Sequence, residues 1–192
     1  MPYFEYIKAG TRRVPAFYII IYWLSRIADN LTTYLATPDL KNEGNWFIVL
    51  FNLGWKEIII KDILILLFVT IGVFYSSSAI YNYLLHHKNH IIIRDFVKQK
   101  KLFLSFILLC GFFTHIFYSL FLTISNYLQF LFLHQSTGFL HSLSVLYVEK
   151  FILKFRYIFF FYSGLFLVLG FMYTIFFVKK LKSKAGKTEV PV

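Results

Sequence analysis

The sequence predicts an all-α membrane protein, a four-transmembrane-helix bundle with both termini cytoplasmic, and three observations carry that expectation. Apolar runs long enough to cross about 30 Å of hydrocarbon as helix recur over residues 14–36, 58–85, 102–125 and 151–178. The 192-residue chain is 58% hydrophobic, with 25 Phe, 14 Tyr and a mean hydropathy of +0.65. A soluble domain of this length cannot hide so much large apolar side chain, since ordinary composition is about half apolar even with Gly counted. Finally, the formal charge of +11 is concentrated just beyond the ends of the runs, where Lys and Arg meet anionic headgroups and set orientation. One membrane domain over residues 1–178 and a basic, disordered tail over 179–192 follow. The same distribution argues against nucleic acid, the partner that such a charge would suggest in a soluble chain.

Residues 1–13 form a short basic leader with Lys8, Arg12 and Arg13. It opens like a signal peptide, and Ala36-Thr37 offers small residues before a cleavage site. The apolar stretch behind it is long and carries Arg26 and Asp29, so it reads as a retained first span. That span is marginal alone. Its two charges cost about 5–7 kcal/mol near the bilayer centre, while each Ile, Leu, Phe or Val returns only about 0.3–0.6. The charges should therefore be neutralised by pairing. At about 100° per residue Tyr22, Arg26, Asp29, Asn30 and Thr33 share one stripe, which should point into a bundle. Two readings stay open for it: a functional site within the membrane, or an Arg26–Asp29 pair at i, i+3 that only fixes helix register. Asn30-Leu31-Thr32 matches a glycosylation acceptor, at a depth where modification is not expected.

Thr37-Pro38-Asp39 ends the first helix. Glu43-Gly44-Asn45 then leads into an aromatic segment, Trp46 to Trp55, suited to the interface because an indole buries its ring and keeps its N–H wet. In the second span Lys61 and Asp62 lie one turn inside the start, and Lys61 can snorkel outward or reach toward Asp29. Gly72, Ser76 and Ala79 form a small-residue stripe on the Lys61 face, which lets another backbone approach closely. The connection from His86 to Lys101 is basic. The third span places Gly111, His115, Ser119 and Asn126 on one stripe and stays apolar to Leu133, so it should be tilted, broken near Asn126 or followed by an interfacial segment. Residues 134–150 are mildly polar, and the fourth span carries Arg156, Ser163, Gly170 and Thr174 on a common face. The leader, the 86–101 loop and the tail together hold 13 Lys/Arg against six on the other side, with Arg26 in the first span. That asymmetry puts both termini inside. Lys150, Lys154 and Arg156 run against it and either neutralise lipid phosphates or line an anion-attracting mouth.

In this topology Arg26, Asp29, His115 and Ser163 come to similar depth, with Lys61 higher. A buried Asp beside Arg, Lys and His suits a proton relay or a polar ligand; the plainer alternative is a network that only locks helices together. His86-His87-x-x-His90 has helical metal-ligand spacing, but a membrane di-iron site needs several such boxes and the chain has six His, so a polar helix end is the reading adopted. His115 has no intramembrane His partner for haem. There is no G-x-S-x-G elbow, H-E-x-x-H run or P-loop, and one Cys, Cys110, permits no internal disulfide. No metal and no cofactor is expected.

Asp29-x-x-Thr32-Thr33, Glu43-x-Asn45 and Lys61 in the next helix resemble the signature of an uncharacterised family of small multi-pass prokaryotic membrane proteins, which pairs an Asp-x-x-Thr-Thr helix with a Glu-x-Asn-Pro turn and a membrane Lys. Trp46 stands here in place of the Pro, and the likeness covers residues 26–65. It implies a role for Asp29, Thr33, Glu43, Asn45 and Lys61 without naming an activity. The ligand-binding or proton-relay set is then Arg26, Asp29, Asn30, Thr33, Glu43, Asn45, Lys61 and His115. Three functions fit: an accessory or scaffold subunit of a membrane assembly, a small transporter or proton-coupled carrier, and a lipid-modifying membrane enzyme. The expected partners are membrane lipids and other membrane subunits, and the expected location is the cytoplasmic (inner) membrane.

Overall fold

The computed structural model describes the backbone of residues 9–40, 50–86, 99–134, 137–151 and 158–186, and every regular element among these is helical. In chain order they are α1 (Ala9–Ala36), α2 (Trp55–His86), α3 (Lys100–Leu133), the short α4 (Phe139–Leu146), a π-helical turn (Tyr147–Phe151) and α5 (Ile158–Gly186). Among the described residues three stretches are long and apolar enough to cross a membrane: Trp55–Leu85, Lys100–Leu133 and Ser163–Ser183. Only 22% of the most apolar window of α2 is buried inside the protein, and Phe68 and Ile71 are 73% and 71% exposed. Apolar surface of that kind is stable facing acyl chains, not water. Helix α1 has 28 residues, about 42 Å at 1.5 Å per residue. It is long enough to span but less apolar, because Arg26, Asp29, Asn30 and two Thr interrupt it.

The sequence dictates how α2 begins. Gly54 precedes the first helical residue, and its N–H donates to Glu57 Oε2 at 3.0 Å, the reach-back half of a capping box. Leu40 takes a left-handed φ of 57°, which costs a side-chain-bearing residue about 1–2 kcal/mol. Burial offsets that cost: Leu40 packs on Ile58, with Leu53 and Trp55 against both. The indole N–H of Trp55 donates to Pro38 O at 2.8 Å, and its ring meets Tyr34 edge-on at 5.5 Å. Trp46, Glu43 and Asn45 lie outside the described residues, as do His87, His90, Lys154 and Arg156.

The chain divides into two compact units, to which α1, α2, α3 and α5 all contribute. One consists of Met1–Ile21, Leu67–His115 and Leu167–Val192. Its centre is aromatic: Tyr18 meets Phe113 at 5.3 Å and Phe177 at 5.5 Å, edge to face, beside fully buried Leu109 and Leu181. Here α5 comes close to α3 at Gly170, where a Cβ would stand 2.8 Å from Thr114 N and 2.9 Å from Cys110 O. The other consists of Tyr22–Leu66 and Ile116–Phe166. In it Phe166 packs on Tyr118 and Phe121, and Tyr147 donates to Ser125 Oγ at 2.7 Å.

Of the three courses open to α3 near Asn126 (a tilt, a break or a following interfacial segment), the structure removes the break: the helix is continuous to Leu133, because the Asn126 amide is hydrogen-bonded to the Asp29 and Thr33 side chains and so does not compete for its own backbone. Two expectations need correction. The segment expected to be tail from Lys179 is helical to Gly186: Gly170, Thr174, Phe177 and Leu181 are all buried at helical spacing, and Lys is a good helix former. Residues 187–192 lie outside the described set. The stripe at Gly72 is not a close helix contact, since a Cβ there would meet nothing within 4 Å. The close approach falls at Gly170 instead.

Candidate functional site

The polar stripe of α1 forms the centre of the second unit. Arg26 is the hub, its side chain 13% exposed. One arm of its planar fork, Nη1, donates to Asp29 Oδ2 at 2.5 Å along the helix, and Nη2 donates to Asp62 Oδ2 on α2 at 2.6 Å. Asn30, one turn beyond Arg26, donates from Nδ2 to the same Asp62 oxygen at 2.8 Å. Asp29 and Asp62 are buried. Two buried carboxylates thus share one guanidinium, a group that stays charged at any physiological pH and cannot release its proton.

Helix α3 closes the third side. Asn126 Nδ2 donates to Thr33 Oγ1 at 2.8 Å and reaches Asp29 Oδ1 at 3.4 Å. Two helical turns earlier on α3, Ser119 donates to the backbone carbonyl of Ser25 at 3.2 Å. Thr32 turns back onto its own helix, donating to the carbonyls of Ala28 and Asp29, the usual way a hydroxyl is satisfied without leaving the helix. Spacing explains why the cluster forms: Asp29 and Asn30 stand three and four residues after Arg26, with Tyr22 four before it and Thr33 three or four beyond them, so all five share one face of the helix.

The inner trio carries one positive charge against two negative. The charge that balances it comes from Lys61, whose Nζ lies 3.5 Å from Asp62 Oδ1 and whose side chain is 32% exposed. A lysine in that position snorkels its ammonium toward the polar boundary while its stem covers apolar surface. Buried ion sets of this kind gain little net stability over apolar packing, but breaking one side of them is costly.

Four of the eight residues marked from sequence therefore come together: Arg26, Asp29, Asn30 and Thr33. Lys61 joins at the rim, through Asp62. Glu43 and Asn45 lie outside the described residues, and His115 belongs to the other unit. Asp62 and Asn126 are central and were not in the set. No local sequence signal marked Asp62: it stands four residues from both Ile58 and Leu66, and only the burial of all three shows its face. Among the described residues no group of three or more His, Cys, Asp or Glu is placed to hold a metal ion.

Fold and site define a class: the regular elements among the described residues are all helical, three of these helices are long and apolar enough to cross a membrane, and an ionic cluster is buried among α1, α2 and α3. Comparisons with family models, curated proteins and solved structures give no match, so the resemblance over residues 26–65 rests on those residues alone.

Proposed function

We propose that the chain is a four-span integral membrane protein, α1 being the remaining span, with both termini cytoplasmic. We further propose that it serves as an accessory or scaffold subunit of a membrane assembly. The observation that carries this reading is the closure of the polar centre: Arg26, Asp29, Asn30, Asp62, Asn126 and Thr33 satisfy one another across three helices. A network so occupied braces a scaffold and leaves the apolar flanks for lipid or neighbouring subunits. Purification of the tagged chain from native membranes in mild detergent tests it. Companion subunits at fixed stoichiometry are expected; an isolated monomer with transport or enzymatic activity of its own would refute the scaffold role.

A second reading, a small proton-coupled carrier, is favoured by one feature. Lys61, at 3.5 Å and a third exposed, is the loosest member of the set and the one able to leave without moving a helix. Its departure uncovers a carboxylate that a proton or a substrate cation can occupy. This reading expects a pH-dependent flux into liposomes that Asp62→Asn abolishes. Flux unaltered by that substitution excludes it.

A further inference from the structure

The charge of the chain is divided very unevenly between its two units. By sequence, the unit of residues 1–21, 67–115 and 167–192 holds 13 Lys/Arg and three Asp/Glu, a net of +10. The unit of residues 22–66 and 116–166 holds seven and six, a net of +1. Among the described side chains of the first unit the basic residues are Arg13, Lys100, Lys101, Lys179, Lys180 and Lys182, and there is no acidic one. They stand at helix ends: Arg13 near the start of α1, Lys100 and Lys101 opening α3, and the other three on the last turns of α5.

Two features restrict what such a surface takes. The first is the seating of the ammonium groups. Lys101 Nζ lies over the Tyr75 ring at 5.5 Å and Lys180 Nζ over the Tyr18 ring at 5.7 Å, contacts that hold a cation in place without cancelling its charge. The second is the adjacent surface. Phe103 and Leu104, one turn into α3, are 46% and 54% exposed, and Phe176, one turn before Lys180, is 54% exposed. A ligand bridging these positions presents an anion and an apolar chain together. A free anion or a nucleic acid offers only the first.

We infer that this end of the first unit binds anionic phospholipids, the headgroup phosphates lying on Lys100, Lys101, Lys179 and Lys180 and the acyl chains on Phe103, Leu104 and Phe176. The inference rests on the membrane-spanning reading above and names the lipid class that such a protein selects. Juxtamembrane basic residues attract anionic headgroups additively and lose that attraction to salt.

The test is reconstitution of the full chain into phosphatidylcholine vesicles carrying a trace of spin-labelled phosphatidylglycerol or spin-labelled phosphatidylcholine. The expected result is a several-fold larger motionally restricted fraction for the anionic label, falling to parity in Lys100→Gln/Lys101→Gln/Lys179→Gln/Lys180→Gln and persisting in Lys56→Gln. If the quadruple variant does not fold, 0.5 M NaCl added to wild type serves instead and should remove on the order of two-thirds or more of the preference. Equal restriction of both labels in wild type, or a preference untouched by the substitutions or by salt, overturns the inference. Failure of the chain to float with the vesicles would overturn the spanning reading itself, a separate outcome.

Discussion

Asp62→Asn and Arg26→Met break the same 2.6 Å contact but should differ widely in cost. Arg26 faces Asp29 at 2.5 Å and Asp62 at 2.6 Å, so the inner trio has one cation and two anions. Asp62→Asn makes the trio neutral and leaves the Arg26–Asp29 pair standing. Its amide oxygen can still accept from Asn30 or Arg26. The loss should resemble that of an interhelical hydrogen bond in lipid, about 0.6–1.7 kcal/mol. Arg26→Met instead leaves two buried carboxylates with no cation between them, the case for which about 3–5 kcal/mol is typical. The triple variant Arg26→Met/Asp29→Asn/Asp62→Asn removes all three charges and should recover to within about 1–2 kcal/mol of wild type, since a buried ion set replaced as a whole is often nearly neutral. Unfolding of the purified chain in mixed micelles with rising sodium dodecyl sulfate, followed by circular dichroism, gives the three values. A triple variant as unstable as Arg26→Met would show that charge balance is not what holds the centre. Equal losses for Asp62→Asn and Arg26→Met would refute the hub role of Arg26.

The same assay checks three smaller effects. Asn126→Leu and Thr33→Val each remove the 2.8 Å bond between α3 and α1 and should cost about 1 kcal/mol; the double variant should cost little more than either alone, because the pair is one interaction. Gly170→Ala drives a Cβ to 2.8 Å from Thr114 N and 2.9 Å from Cys110 O. Backbone atoms cannot turn aside as a side-chain end can, so a loss of about 1–3 kcal/mol is expected, with Gly111→Ala, which meets nothing within 4 Å, as the silent control. Trp55→Phe keeps the ring against Tyr34 and loses only the 2.8 Å bond to Pro38 O, which should cost about 0.5–1.5 kcal/mol.

Helical periodicity and apolar run length made the second and third spans legible, to within a few residues at the start of each. The polar stripe of α1 was equally legible, because Asp29 and Asn30 stand three and four residues from Arg26, and four and three from Thr33, which defines one face whatever covers it. What covers it was not. Asp62 stands 36 residues from Arg26, beside Lys61 one turn inside the start of an apolar run, where attention falls on the lysine that can snorkel outward. The neighbours of Asp62 four residues away on either side, Ile58 and Leu66, mark it as inward-facing only once their burial is known. Asn126 was misleading for a related reason. An unpaired Asn weakens a helix, whereas one whose amide bonds Thr33 does not, and pairing between α3 and α1 is invisible to a local reading. The helical extent of α5 past Lys179 turned on Leu181, a single apolar residue among lysines that continues the buried row of Thr174 and Phe177.

The position of Asp62 bears on how α1 enters a membrane at all under the four-span reading. Alone, α1 carries an unscreened pair of charges and falls short of the apolarity of the other three long helices; charges at mid-helix cost about 2.5–3.5 kcal/mol each on insertion. The Arg26–Asp29 pair lowers that cost within α1 itself, but both partners still have unsatisfied hydrogen-bonding capacity toward lipid. Asp62 and Asn30 complete the guanidinium side and Asn126 with Thr33 the carboxylate side, and two of those groups arrive only with α2 and α3. The helix made first is therefore stable in the bilayer only after later ones have docked, so its residence there depends on residues that follow it by 32 to 97 positions. Truncation after α2, which removes the Asn126 contacts, should leave a larger share of α1 outside the bilayer, read as labelling of a cysteine placed in α1 by a membrane-impermeant thiol reagent. Asp62→Leu in the full chain should do so more strongly, because it removes the partner of both Arg26 and Asn30.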